Sequence, residues 1–426
     1  MTNKPMPEQA KRNNPIVDCC SAPGLLPFEH AMTNMLAQIT PVHEHETLTI
    51  EAALNRVLAN DIVSPVNVPP HNNSAMDGYA FAATSLQKSK TLLLAGRSMA
   101  GSPYVGECQA GQCIRIMTGA KMPIGCDSVE MQENCLLDGN KITFAQEKAL
   151  GSHVRYAGED IIINQPVFTK GQRLSAIDIG MLASLGIAKV NVFRKLKVAL
   201  ISTGDELKSP GQTLTEGDIF ASNAHFLTGL LTKLNIEIID FGIIKDDKLA
   251  IESAFKQADE LTDAIISSGG VSVGDADYTK EVLDNLGEIG FWKIAMKPGK
   301  PFAFGKLPNS IFFGLPGNPV SALVTAHQLA LPALVKMQNA QPIKRVTINV
   351  KTATELKKSV GRMDFQRGVL TINDQGETVV NSTGSQGSGI LSSIAKANCY
   401  IVLEARRGKV TAGEMVKIEL FDQYLQ

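Results

Sequence analysis

The chain has 426 residues, too many for one ordinary hydrophobic core, so about two to four domains are expected. Hydrophobic residues make up 44% and charged residues 19%, the balance of a globular chain and not of a disordered one. Against 42 acidic side chains stand 41 basic ones, a formal net charge of -1, which argues against a general nucleic-acid binder and leaves any bound anion to a local site. The seven cysteines, Cys19, Cys20, Cys108, Cys113, Cys126, Cys135 and Cys399, form no C-x-x-C pair. Their odd number and irregular spacing read as reduced thiols of a cytoplasmic protein.

In chain order, residues 1–22 are polar and read as a disordered tail without a signal-peptide core. Phe28, Met32, Met35, Leu36 and Ile39 recur at helical spacing after Pro27, and a second helix is expected from Ile50 to Leu58, ended by Pro65, Pro69 and Pro70. From there to about residue 175, short apolar runs alternate with Gly and Pro turns, the pattern of a mostly β region. Apolar stretches such as 179–193 are broken by Gly186 and Lys189, so no membrane span is expected.

At Leu196 strands begin to alternate with helices. Apolar runs at Leu196–Ile201, Glu237–Ile243 and Asp263–Ser267 are separated by helices from Ser222 and over Lys248–Ala258. A helix from Tyr278, a β stretch over 291–315 and a long helix opened by Asn318 and Pro319 follow. This predicts a doubly wound parallel sheet whose ligands bind beyond the carboxyl ends of its strands. After Val346 short strands return, as in a small β-barrel or sandwich.

The segment most informative about chemistry is Ser267-Ser268-Gly269-Gly270-Val271-Ser272-Val273-Gly274-Asp275-Ala276-Asp277, running from an apolar strand into a helix. Glycines and early serines let backbone N–H groups converge on a phosphate. Carboxylates beside such a cradle make sense if a hard cation such as Mg²⁺ bridges them. The alternative is a flexible loop with Asp277 near the start of the next helix. The loop is neither a Walker A nor a dinucleotide motif.

Glu206 and Asp246 follow two other strands of the same sheet and, with Asp277, predict an acidic rim for a metal or polar ligand; Asp205 and Asp247 are also readable as helix caps. Lys293 and Lys297, the latter in a stiff Lys-Pro-Gly-Lys-Pro frame, suit a phosphate or an oxyanion like molybdate, though surface lysines on an edge strand are common. Pro316 and Pro319 flank a further helix N-terminus of anion-binding type. Asp77, within Asn73–Ala80, and Thr118, after Arg115-Ile116-Met117, are readable either as site residues or as structural turns, as are Arg155 and Asp160. The histidines show no ligand spacing beyond His43-x-His45, read as solvated.

Together these segments closely resemble the molybdopterin molybdenumtransferase family, the bacterial MoeA proteins and the C-terminal domain of gephyrin. The matching motifs are NSAMDGYA at 73–80, RIMTGA at 115–120, GED at 158–160, STGDEL at 202–207, SSGGVSVGDADYT at 267–279, KPGKP at 297–301 and LPGNPVS at 315–321. The resemblance runs from about residue 25 to the C-terminus. Only the tail (1–22) falls outside it, and the resemblance implies an elongated helical/β linking domain (23–64 and 162–195) and a mostly β domain (65–161). An α/β domain of molybdopterin-binding type (196–344) and a C-terminal β-barrel (345–426) complete the chain.

The implied activity is insertion of molybdate into adenylylated molybdopterin with Mg²⁺-dependent release of AMP. The implied assembly is a homodimer with transient contact to a molybdopterin adenylyltransferase. On this resemblance Asp277 and Glu206, with Asp246, position Mg²⁺, and Lys293 and Lys297 neutralise charge on molybdate and the departing phosphate. The backbone from Ser267 through Gly269, Gly270, Ser272 and Gly274 holds a phosphate. Asp77, Thr118, Arg155 and Asp160 come from the other subunit. One departure stands out: Ile219-Phe220-Ala221-Ser222-Asn223 replaces an expected Ile-Tyr-Asp-Ser-Asn. The rival readings are a molybdopterin adenylyltransferase, which flanking domains argue against, and a dimeric scaffold, which need not keep the full acidic and lysine complement.

Overall fold

The apolar run after Leu196 forms the strand Lys197–Thr203, buried at every position but its first, within a six-stranded sheet. The order across the sheet is Glu237–Ile244, Lys197–Thr203, Ala264–Ser268, Ile311–Leu315, Pro301–Lys306, Glu288–Lys293. The first four strands are parallel, as the alternation of strands and helices predicts. Pro301–Lys306 runs antiparallel to both its neighbours, because it turns back into Ile311–Leu315 through a tight connection closed by Leu307 N–H to Ser310 O at 2.9 Å, so the edge strand Glu288–Lys293 again runs with the first four. The sheet is therefore mixed, not wholly parallel.

This computed structural model describes residues 24–270 and 278–426. The expected tail and the 271–277 part of the Gly-rich loop lie outside the described residues. The chain divides into one unit running to Glu44 and resuming at Arg194–Gln426, and another over His45–Phe193.

In the first unit, helices Ser222–Lys233 and Lys248–Leu261 cover the sheet. Asp247 starts the second by accepting the Ala250 N–H at 2.9 Å, so it is a cap and not a rim acid. Phe255 and Phe312 are fully buried and meet edge-on at 5.6 Å; each such ring contributes about 1.5–3 kcal/mol by burial. Helical structure continues from Pro319 to Met337, with a π-helical stretch at Ala326–Ala330. By length and composition this segment could cross a membrane, but 89% of it is buried inside the fold as a core helix.

The C-terminal strands Thr347–Thr352, Met363–Ile372, Thr378–Ser382, Cys399–Leu403 and Met415–Leu420 close on themselves, since Met363–Ile372 pairs with both Thr378–Ser382 and Cys399–Leu403. The β reading of this region resolves to a barrel. Arg194 forks onto Asp263 at 2.8 and 2.7 Å and reaches Glu44 at 3.3 Å, fastening both chain crossings to the base of the sheet.

In the second unit, six strands order as Ser128–Met131, Gly78–Phe81, Gln112–Ile116, Thr91–Ser98, Lys141–Phe144, Cys135–Asp138. A separate core gathers Ile50, Leu58, Phe168, Leu174, Leu182 and Val192. The helix expected over Ile50–Leu58 is only a short 3-10 turn at Glu51–Ala53. Asn55 takes a left-handed φ of 61°, and Val57 and Leu58 bridge to Arg173 and Val192, so tertiary pairing overrides the helical periodicity. Burial pushes the Cys113, Cys135 and Cys399 thiols up to about 12, which makes them inert.

Candidate active site

Three parallel strands end together at Thr203, Ser268 and Leu315. Ser268 Oγ accepts a hydrogen bond from Asn223 Nδ2 at 2.7 Å, and the same amide donates to Gly317 O at 2.8 Å, tying two strand-end loops to the start of a helix. Gly269 and Gly270 have φ of 98° and 64°. A Cβ at Gly269 would lie 2.7 Å from Thr203 O, and one at Gly270 2.4 Å from Thr279 Oγ1, so both positions need glycine for conformation and for space. Around this turn Thr203 Oγ1, Ser267 Oγ and Asn223 Oδ1 are buried without a partner among the described residues. Each unmatched buried group costs about 1–3 kcal/mol. Buried hydroxyls and an amide without a partner among the described residues, beside a glycine turn, suit the oxygens of a phosphate.

The acidic rim forms beside it. Asp205 accepts the Asp246 N–H at 3.2 Å, bringing two strand-end loops together. The Asp246 carboxyl is raised above its ordinary value by burial, then by the charges of Asp205 and Glu206. Glu206 folds over Gly204, where a Cβ would meet its carboxylate at 2.6 Å. Among the described residues no three acidic, histidine or cysteine side chains converge into a ready metal cage. Mutually repelling carboxylates next to unpaired oxygen ligands still fit Mg²⁺, which is held by one or two carboxylates plus substrate phosphate and keeps its waters. The third expected acid, Asp277, and the expected Ser272 and Gly274 lie outside the described residues.

The two lysines part company. Lys293 ends Glu288–Lys293 and pairs with Pro301 on the α/β sheet. Lys297 lies in a separate short strand, Met296–Lys297, which runs parallel to Met363–Ile372 of the barrel with Lys297 opposite Asp364. The single β stretch expected over 291–315 is thus divided between two sheets. Gly299, at φ 98°, brings the Lys-Pro-Gly-Lys-Pro frame against the core helix, where a Cβ would meet Thr325 Oγ1 at 2.2 Å.

Between this frame and the barrel lies a cleft of about 970 Å³, lined by Lys297, Lys300, Lys357, Arg362, Asn318 and Gln386 among others. Four cationic side chains, Lys297 and Lys300 from the frame and Lys357 and Arg362 from the barrel side, line the cleft together with Glu355 and suit a small oxyanion. Pro319 opens the core helix at this cleft as expected, but Asn318 makes no side-chain cap; instead Ser388 O accepts the Val320 N–H at 3.0 Å. Pro316 is buried next to Leu315, whose carbonyl accepts the Gly269 N–H at 3.2 Å.

In the second unit Asp77 accepts both the Thr118 N–H, at 2.7 Å, and its hydroxyl, at 2.8 Å. These bonds hold the Asp77 carboxyl below the usual carboxylate range. Arg115 donates to Gly78 O at 2.9 Å and lies 5.0 Å over the Tyr79 ring, supporting the same turn. Arg155 is exposed on a short strand paired with Asn73, and Asp160 is exposed with its N–H bonded to Val68 O. Asp77 and Thr118 are therefore brought together directly, while Arg155 and Asp160 attach to neighbouring turns.

Sequence reasoning missed Asn223, Arg362 and Lys357. Asn223 stood in plain view in the Ala221-Ser222-Asn223 segment, but its role depends on two loops distant in sequence. Arg362 and Lys357 reach the cleft only because the barrel folds back on Lys297. Ala221 starts the helix Ser222–Lys233 without a side-chain cap and is buried, its N–H bonded to Lys208 O at 2.9 Å.

Comparison with known proteins places these features in one family. Residues 26–186 match the MoeA N-terminal region (domain I and II), 199–336 a probable molybdopterin binding domain, and 349–421 the MoeA C-terminal region (domain IV). The chain is 48% identical over 403 residues to a molybdopterin molybdenumtransferase of Haemophilus influenzae, covering 94% of this chain and 100% of the relative. It is 32% identical to that of a Nostoc species, covering 96% and 97%. The crystal structure of a molybdopterin biosynthesis moeA protein from Pyrococcus horikoshii OT3 superposes with a TM-score of 0.80 at 29% identity, over 93% of this chain and 100% of that one. The chain belongs to the molybdopterin molybdenumtransferase family.

Proposed function

We propose that the protein is an enzyme of molybdenum cofactor biosynthesis that inserts molybdate into adenylylated molybdopterin and releases AMP with the help of Mg²⁺. The observation that carries this reading is the pairing, within one compact unit, of a buried hydroxyl-and-glycine cradle rimmed by carboxylates and a cleft lined by lysine and arginine. The first suits the phosphates of a nucleotide; the second suits an oxyanion.

Backbone groups at Gly269 and Gly270, with Ser267, Thr203 and Asn223, hold phosphate oxygens and exclude water from them. Glu206 and Asp246, with Asp277, would hold Mg²⁺, which when bound supplies positive charge to the phosphate oxygens. Lys297, with Lys300 and Arg362, orients molybdate, and Lys293 offsets charge on the departing phosphate. Pro316 and Pro319 fix the loop between cradle and cleft. The protein acts as a cytoplasmic homodimer whose second copy lends Asp77, Thr118, Arg155 and Asp160, and it receives its substrate in transient contact with a molybdopterin adenylyltransferase.

The test mixes purified protein with adenylylated molybdopterin, molybdate and Mg²⁺ and follows AMP release. Molybdate-dependent release is expected, and Asp277→Asn should lower it by about two orders of magnitude with an unchanged circular-dichroism spectrum. Release that ignores molybdate would refute insertion, and a fully active Asp277→Asn would remove that acid from the site.

A further inference from the structure

Behind Lys297 of the cleft stands a buried carboxylate, Asp364, the second residue of the barrel strand Met363–Ile372; the other acid at the cleft, Glu355, is exposed and paired with Lys409. The Asp364 side chain is 4% exposed, whereas that of Lys297 is 43% exposed. Asp364 Oδ2 lies 3.7 Å from Lys297 Nζ and accepts a hydrogen bond from Gln366 Nε2 at 3.1 Å. Asp364 Oδ1 is buried and has no partner among the described residues. The backbone fixes this meeting: Lys297 stands opposite Asp364 in the parallel pairing, and Met363 N–H donates to Ala295 O at 2.8 Å.

The surrounding charge makes the carboxylate more unusual. Lys358 and Arg367 are buried nearby, and both interact electrostatically with Asp364. Lys358 satisfies its ammonium on the Ser359 and Arg362 carbonyls at 3.0 and 2.7 Å, and Arg367 donates to Ser393 Oγ and Gly387 O at 3.1 and 3.2 Å. Neither cation takes up the free oxygen of Asp364. A buried carboxylate with an unused oxygen, facing a half-exposed ammonium at a loose 3.7 Å, is a weak pair in a place where a strong one was available.

We infer that Asp364 is a positioning residue for Lys297: it parks the ammonium at the mouth of the cleft and competes with the incoming oxyanion for it, so that molybdate is held weakly enough to move on. The inference rests on the reading of the cleft as an oxyanion site. It adds a function for the barrel, which supplies the counter-charge that tunes a residue of the neighbouring domain. A dianion within several ångströms of a fixed carboxylate is repelled through low-dielectric protein, and removal of that carboxylate strengthens the anion's hold.

The experiment is calorimetric titration of the full chain with molybdate at fixed ionic strength, beside Asp364→Asn and Asp364→Glu. Asp364→Asn is expected to bind molybdate at least about threefold more tightly, with KM for molybdate lowered and kcat not raised, while Asp364→Glu, which keeps the charge, stays near the parent. A purely structural Asp364 would lower the unfolding midpoint and would not tighten binding. Unchanged or weaker binding by a folded Asp364→Asn overturns the inference and leaves the cleft's assignment standing. Failure of the parent to bind molybdate overturns both. Should Asp364→Asn not fold, crystals of the parent with and without molybdate decide: Lys297 Nζ is expected to turn from Asp364 to the anion, and a lysine that stays on Asp364 beside bound molybdate refutes the competition.

Discussion

The strand-end cradle and the cationic cleft solve opposite problems with opposite materials. The cradle is built from small residues: two left-handed glycines, buried hydroxyls and an amide, with carboxylates crowded at its rim. Its parts come from the ends of consecutive strands, so the α/β topology assembles it. The cleft is lined by long cations, with Asp364 buried behind Lys297, and its parts come from a loop and a barrel that meet only in three dimensions. The difference teaches that one site is shaped by backbone and small side chains and the other by long, mobile charges; on the function proposed above, the first holds the nucleotide and the second the oxyanion.

Point substitutions in the two sites are expected to act independently. The largest effect is expected for Lys297→Met, which should weaken molybdate binding about tenfold or more while leaving AMP affinity within about twofold, measured by titration of each ligand alone. Loss of both affinities would merge the two sites into one. Gly269→Ala should do the reverse: a Cβ pressed against Thr203 O at a left-handed φ should cost about 1–3 kcal/mol of stability and weaken AMP binding, with molybdate affinity retained. Chemical denaturation together with the same titrations measures both.

The smallest effect concerns the joint behind the cleft. His327 is fully buried and its Nε2 lies 3.0 Å from Asp422 Oδ2. Burial lowers the imidazole's pKa below its ordinary value, although Asp422 works against this. A histidine whose folded pKa is depressed stays neutral in the native state while the unfolded chain takes up a proton. Its contribution is therefore intact above about pH 6.5 and shrinks as pH falls below that value. The unfolding midpoint should drop modestly between about pH 7 and pH 5.5, and His327→Gln should flatten that slope. An unchanged slope would mean that other groups carry the acid sensitivity.

The cradle was legible in the sequence because its logic is local. An apolar strand, a Gly-Gly turn and a following helix stand in order along the chain, and Glu206 and Asp246 each follow their own strand. The cleft was only half legible. Lys297 could be singled out by its proline frame, but its partner strand begins at Met363, and nothing between them announces the pairing. The expected parallel sheet failed at its one antiparallel strand for a related reason, since strand direction there is set by a four-residue turn at Leu307–Ser310. The supposed helix at Ile50–Leu58 shows the converse, a correct periodicity overruled by one left-handed asparagine and two distant bridges.

The core helix from Pro319 to Met337 receives Ser388 at its first turn and, further along, pairs His327 with Asp422, while Gln328 reaches Glu419 at 2.7 Å. Barrel and sheet are thus laced along the first half of one rod. Two regions described as separate domains by their family would then melt as a single cooperative block, and their slowest amide protons should exchange through the same opening.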